Sequence, residues 1–104
     1  MKTVKVRDFF GNEIECFVHF TKYYNGNTCI QLFCDDGPYA TVTTNTDKKL
    51  PVDTAVIKNY SENEGLDVVL QEVGLLSKPI GYQNTGFMRC PICKIDLEFN
   101  KEDK

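Results

Sequence analysis

At 104 residues the chain has room for one domain and not two, and a composition of 41% hydrophobic and 26% charged residues is that of a globule rather than a disordered polymer. Twelve basic against fifteen acidic residues leave a net charge of −3, which excludes a general nucleic-acid binder, because neutralising phosphates takes a basic stripe. No apolar run approaches the ~18 residues of a membrane span, and Met1-Lys2-Thr3-Val4-Lys5 lacks a signal-peptide core, so the expected location is the cytoplasm. There, five cysteines point to thiols or metal ligands rather than disulfides.

Three turn signals punctuate the first half: Phe9-Phe10-Gly11, Tyr24-Asn25-Gly26 and Asp35-Asp36-Gly37. Each ends in glycine and separates runs rich in β-branched and aromatic residues, the pattern of a three-residue hairpin loop closed by a left-handed residue. Register tests this reading, since opposed residues of an antiparallel pair share a face. Three-residue loops set Val6 opposite Ile14 and Val4 opposite Cys16. They also set Cys16 opposite Cys34, Val18 opposite Leu32 and Phe20 opposite Ile30, then Leu32 opposite Ala40 and Ile30 opposite Val42. Every one of these pairs falls on one apolar face. A two-residue Asn25-Gly26 loop would instead pair Phe20 with Gln31 and His19 with Leu32.

The opposite face then carries Lys5 across from Glu15 and Arg7 across from Glu13. It also carries a row of aromatics, Phe17, Phe33 and Tyr39, beside His19, Gln31 and Thr41. Phe9, Phe10, Tyr23 and Tyr24 lie in loops nearby.

Further along, Thr54-Ala55-Val56-Ile57-Lys58 reads as a fifth strand. Ser61-Glu62-Asn63-Glu64 has the form of a capping box, with Ser61 as the cap and Glu64 reaching back. Leu66, Val69, Leu70 and Val73 follow at i, i+3, i+4 and i+7, an amphipathic stripe that Gly74 caps and Pro79 prevents from continuing. A last strand spans residues 87–97. The expected fold is therefore α+β: a four-stranded antiparallel meander with one or two further strands, and one helix on its apolar face. One domain covers residues 1–99, with a flexible tail over 100–104.

The sharpest local motif is Cys90-Pro91-Ile92-Cys93, half of a zinc knuckle. Cys16 and Cys34 would supply the other half of a four-thiolate site. A straight strand, however, sends Cys90 and Cys93 to opposite faces, and cysteine commonly behaves as a small buried hydrophobe. Buried thiols and no cofactor are the preferred reading, with zinc as the alternative. His19 and Cys29, diagonal neighbours on the outer face with Gln31 to orient them, form the one arrangement suited to a cysteine-dependent enzyme. A flat sheet gives that pair no pocket and no oxyanion hole. Asp35-Asp36-Gly37 lacks the remaining ligands of a calcium loop, and turn chemistry explains it.

A second line comes from motif order. Gln31-Leu32-Phe33, Gly37-Pro38-Tyr39-Ala40-Thr41-Val42-Thr43, Ala55-Val56-Ile57-Lys58-Asn59-Tyr60-Ser61-Glu62-Asn63-Glu64-Gly65 and Gly81-Tyr82-Gln83-Asn84-Thr85-Gly86-Phe87 together resemble a family of small uncharacterised proteins of phages and mobile elements of gut bacteria. The resemblance covers most of residues 30–95. It implies context only, a mobile-element accessory protein that engages a host or defence component, and it brings no activity, cofactor or catalytic residue. The Cys-Pro-Ile-Cys pair departs from the ordinary strand residues such a protein would carry there.

The sequence therefore points to a non-enzymatic protein-binding chain that meets a protein partner or a second copy of itself. The contact surface is the outer sheet face (Phe17, His19, Gln31, Phe33, Tyr39, Thr41) or the acidic side of the helix (Glu62, Asp67, Glu72). Residues 77–99 are the stretch that would otherwise bury the outer face. Exposed contiguous apolar surface of this kind marks binding sites.

Overall fold

The computed structural model describes residues 2–8 and 10–101. It is a mostly-β α+β fold of two four-stranded antiparallel sheets with one helical segment. The first sheet is the expected meander: β1 (Thr3–Arg7), β2 (Glu13–Lys22), β3 (Thr28–Cys34) and β4 (Gly37–Thr41), in that order. Val4 faces Cys16 and Val6 faces Ile14, while Val18 faces Leu32 and Phe20 faces Ile30. The first two loops are three residues long, closed by Asp8 N–H to Asn12 C=O and Tyr23 N–H to Asn27 C=O. Gly11 and Gly26 take φ of 84° and 87°, the left-handed conformation that such loops end on and that glycine adopts without a Cβ clash.

The third hairpin departs from the expectation. Leu32 pairs with Ala40 as foreseen, but Phe33 then pairs with Pro38 and Cys34 with Gly37. The loop is the two-residue Asp35-Asp36, and the residue left over forms a bulge at Tyr39. A bulge rotates its extra side chain out of the strand's alternation. Tyr39 therefore leaves the outer row and packs half-buried against the core.

The second sheet has the order β5-β6-β8-β7, from β5 (Thr43–Thr44), β6 (Thr54–Ile57), β7 (Gly81–Thr85) and β8 (Met88–Lys94). Val42 is the seam between the sheets: its N–H donates to Ile30 C=O and its own C=O accepts from Lys58 N–H, both at 2.8 Å. The expected last strand over 87–97 is in fact the second arm of a hairpin. Gly86 and Phe87 form its two-residue loop, so Thr85 faces Met88 and Gln83 faces Cys90. Gly-Tyr-Gln-Asn-Thr at 81–85 has little hydrophobic alternation and so carries no strand signal of its own.

The capping box does not form. Ser61 adopts φ 59° and opens a single 3-10 turn, Ser61–Asn63, and Gly65 at φ 83° separates it from α1 (Leu66–Glu72). The cause lies in Asn63, whose buried amide donates to Thr41 C=O at 2.7 Å and Lys58 C=O at 3.2 Å. That anchor draws the turn onto the sheet before the helix begins, and tertiary bonding overrides the local cap. The C-terminal end behaves as expected. Gly74 N–H donates to Gln71 C=O and Leu75 N–H to Leu70 C=O, a Schellman motif with Gly74 left-handed at φ 88°. Leu70 and Leu75, the apolar pair of that motif, are both fully buried.

Leu66 and Leu70 of α1 meet Val4, Val6, Cys16, Ile30 and Leu32 of the first sheet in one core, which Ala55, Ile57, Cys93 and Ile95 extend into the second. Each fully buried leucine or isoleucine there contributes about 1.5–3 kcal/mol. Phe99 is also buried, under the Lys2 ammonium at 4.4 Å, and Asn100 Nδ2 donates to Val18 C=O at 2.9 Å. The anchored chain thus reaches Asn100, whereas positions 102–104 of the expected tail lie outside the described residues.

Candidate functional site

The outer face of the first sheet is open at Phe17, His19 and Thr41 and partly open at Gln31 and Phe33, whereas Cys29 on the same face is buried. Residues 77–99, the stretch that would have covered it, instead contribute β7 and β8 to the second sheet. Along β2 the odd positions 13–21 are exposed, while Cys16 and Val18 are buried. Phe17 pairs with Phe33, His19 with Gln31 and Gln31 with Thr41, so five of the six expected outer-face residues share one surface. Tyr39 does not join them, for the reason given above. Phe17 is 37% exposed and Phe33 partly so. The His19 and Phe33 rings lie 5.6 Å apart at 48°, a tilted contact that holds the imidazole against the aromatic row. At the strand ends the ion pair is the diagonal Lys5–Glu13 at 3.9 Å, while Arg7 Nη1 donates to Gly11 C=O at 3.1 Å. Of the loop aromatics, Phe10 and Tyr24 are largely exposed, Tyr23 is half-buried with its hydroxyl 2.9 Å from Thr43 Oγ1, and Phe9 lies outside the described residues.

A groove of about 400 Å³ opens between α1 and the first sheet. Its apolar floor is Val6, Tyr39, Ala40, Leu66, Val69 and Val73, and its rim holds Lys5 and Arg7 among four glutamates, Glu13, Glu62, Glu64 and Glu72. Two of the three acidic residues expected on the helix side, Glu62 and Glu72, belong to this rim. Asp67 is half-buried and stands near Cys93. None of the groove's lining residues is a histidine or a cysteine. The Tyr39 hydroxyl is pushed up by burial and by the charges of Cys16, Asp8 and Cys34. Glu62 is held at about 2 by its hydrogen bond from Lys58 Nζ at 2.6 Å.

The cysteines separate. Cys93 joins the main core, whereas Cys90 is buried with its Sγ 3.2 Å from Thr85 Oγ1. Burial pushes the Cys16 thiol up to about 11, with Cys34 adding to it, and it pushes Cys93 to about 11 as well, with Asp67 adding to it. Among the described residues no group of three or more histidines, cysteines or carboxylates is placed to hold a metal ion, so the four-cysteine alternative is not assembled. Cys29, the expected partner of His19, is buried while His19 is exposed.

Two buried asparagines escaped the sequence reading. Asn27 Nδ2 donates to Asn45 Oδ1 and to the carbonyls of Thr46 and Lys48, and its Oδ1 accepts from Leu50 N–H. Asn27 thereby fastens residues 45–50, and Asn63 fastens the turn before the helix. Asn27 follows the turn glycine Gly26, a position where the sequence signals only loop chemistry.

No protein-family model matches the chain, and neither does a curated protein or a solved structure. Among the described residues no helix is long and apolar enough to cross a membrane.

Proposed function

We propose that this chain is a protein-binding domain without a reaction of its own, and that it meets its partner through the outer face of the first sheet. The observation that carries the reading is a partly exposed aromatic row, Phe17 and Phe33 with His19 against it, on a sheet whose other face packs into the core. Apolar groups left in water are what a partner's surface would cover. The burial of Cys16, Cys29, Cys90 and Cys93, and a groove lined by neither histidine nor cysteine, support a binding role over a catalytic one. A phage or mobile-element setting, with a host or defence protein as partner, is carried by the motif resemblance.

The test pairs affinity capture with stability in a Phe17→Thr/Phe33→Thr variant, threonine being chosen to keep strand propensity. Partner retained by the wild type should be lost from the variant at a nearly unchanged urea midpoint. Equal retention by both would refute the reading.

A further inference from the structure

The β7–β8 hairpin differs from the rest of the chain in charge and in exposure. Between Val73 and Ile95 the ionised side chains are Lys78, Arg89 and Lys94, without one carboxylate, in a chain whose net charge is −3. Lys94 is engaged by Asp53 at 3.7 Å, whereas Arg89 lies exposed with its guanidinium 4.3 Å over the Tyr82 ring. Tyr82 is 54% exposed, Ile80 and Met88 are exposed as well, and Phe87 at the loop stands fully in water.

The four sheet edges are guarded unequally. β1 carries Lys5 and Arg7, β4 contains Pro38 and a bulge, and β5 is two residues long. Charge, proline, bulges and shortness are the devices that stop an edge from pairing with another chain. β7, Gly81-Tyr82-Gln83-Asn84-Thr85, has no charge, no proline and five residues of extended backbone. Its two-residue loop makes Thr85 and Met88 the closing hydrogen-bonded pair. By alternation, Tyr82 and Asn84 turn their N–H and C=O outward. Gln83 Nε2 donates to the Asn84 carbonyl at 3.2 Å, an exposed bond that an incoming strand would displace.

We propose that the β7 edge receives an extended, acidic segment of another protein by strand addition. The backbones of Tyr82 and Asn84 supply the ladder, and side chains beside it choose the sequence. Arg89 can donate two hydrogen bonds to a carboxylate while remaining stacked on Tyr82, and Lys78 adds charge of the same sign. Charge argues against a second copy as the occupant, because pairing β7 with β7 would set two cationic hairpins side by side. The unpaired edge argues against a membrane, where those backbone groups would enter hydrocarbon without partners. This edge belongs to the second sheet, so the proposal stands apart from the outer face of the first.

The test selects peptides from a random display library on the full chain and measures the enriched peptides, made synthetically, by fluorescence anisotropy. Enriched sequences should be acidic with alternating apolar residues. Their affinity should fall at least about tenfold with Arg89→Glu, the loss expected for a charge-assisted hydrogen bond, and similarly with Asn84→Pro, but not with Phe17→Thr/Phe33→Thr. The Asn84 N–H points away from the hairpin, so proline there removes no internal bond. Hydrogen exchange at the wild-type Tyr82 and Asn84 amides, slowed by the peptide, gives a readout without any substitution. No enrichment, enrichment of basic peptides, binding indifferent to both hairpin substitutions, or self-association abolished by Asn84→Pro would each overturn the proposal.

Discussion

The two sheets bury their side chains by different rules. In β2 burial alternates, with Cys16 and Val18 inside and Glu15, Phe17 and His19 outside, because one face meets the core and the other meets water. In β6 all four residues, Thr54 to Ile57, are buried, since both of that strand's faces are covered. A one-sided sheet leaves much of its outer face, around Phe17, His19 and Thr41, for a partner. The second sheet, covered on both faces at β6, offers instead the edge of β7 and its exposed hairpin.

Adjacent substitutions should expose the difference most strongly. In β6, Ile57→Ala should cost about 2–5 kcal/mol and its neighbour Val56→Ala a comparable share, because each removes packing on its own side. In β2, Val18→Ala should cost a similar amount while its neighbour His19→Ala stays within about 0.5 kcal/mol. Urea unfolding of the four variants measures this directly; a large loss from His19→Ala would show the outer face to be covered. Next in size is Asn27→Ala, which strips partners from part-buried backbone groups of Thr46, Lys48 and Leu50 and should cost about 1–3 kcal/mol. A loss within the range of surface substitutions would show those groups to be solvated.

The thiols sharpen the contrast through pH. Cys16 in the first sheet and Cys93 in the second are pushed from 9.0 up to about 11, so both should resist thiol reagents at neutral pH until the chain unfolds. An acid whose folded value is raised lends stability that is complete below its unfolded value. Their contribution should therefore be whole below pH 9 and decline as the pH rises from 9 through 11. Native labelling of either residue would contradict this burial. The smallest effect belongs to the exposed Lys58–Glu62 pair. Glu62 is depressed from 4.5 to about 2, so its contribution is present above 4.5 and lost as the pH falls through 2. A carboxyl NMR titration should find that low midpoint, and Lys58→Met should return it toward 4.5.

Legibility followed the same division. Val4, Val6, Cys16, Val18, Ile30 and Leu32 alternate with polar residues, and one register alone puts them all inside, so the first two hairpins could be read from sequence. The third failed at Tyr39, because a three-residue loop and a two-residue loop with a bulge differ by one residue of slack that no pattern distinguishes. Val56 and Ile57 are consecutive apolar residues and carry no periodicity, so the second sheet's pairing was invisible. Polar Gly81–Thr85 gave no strand signal at all. Five of the outer-face residues followed from the meander register. Asn27, Asn63 and the β7 edge depended on long-range partners and did not.

Site-specific photo-crosslinking, in the cell that makes the protein, tests the open face most directly. A photoreactive phenylalanine analogue at His19, in the centre of the aromatic row, is compared with the same group at exposed Val68 on the helix packed against the other side. A discrete protein adduct from position 19 and none from position 68 is the expected result. The same adduct from both positions, or none from position 19, would contradict binding through the outer face.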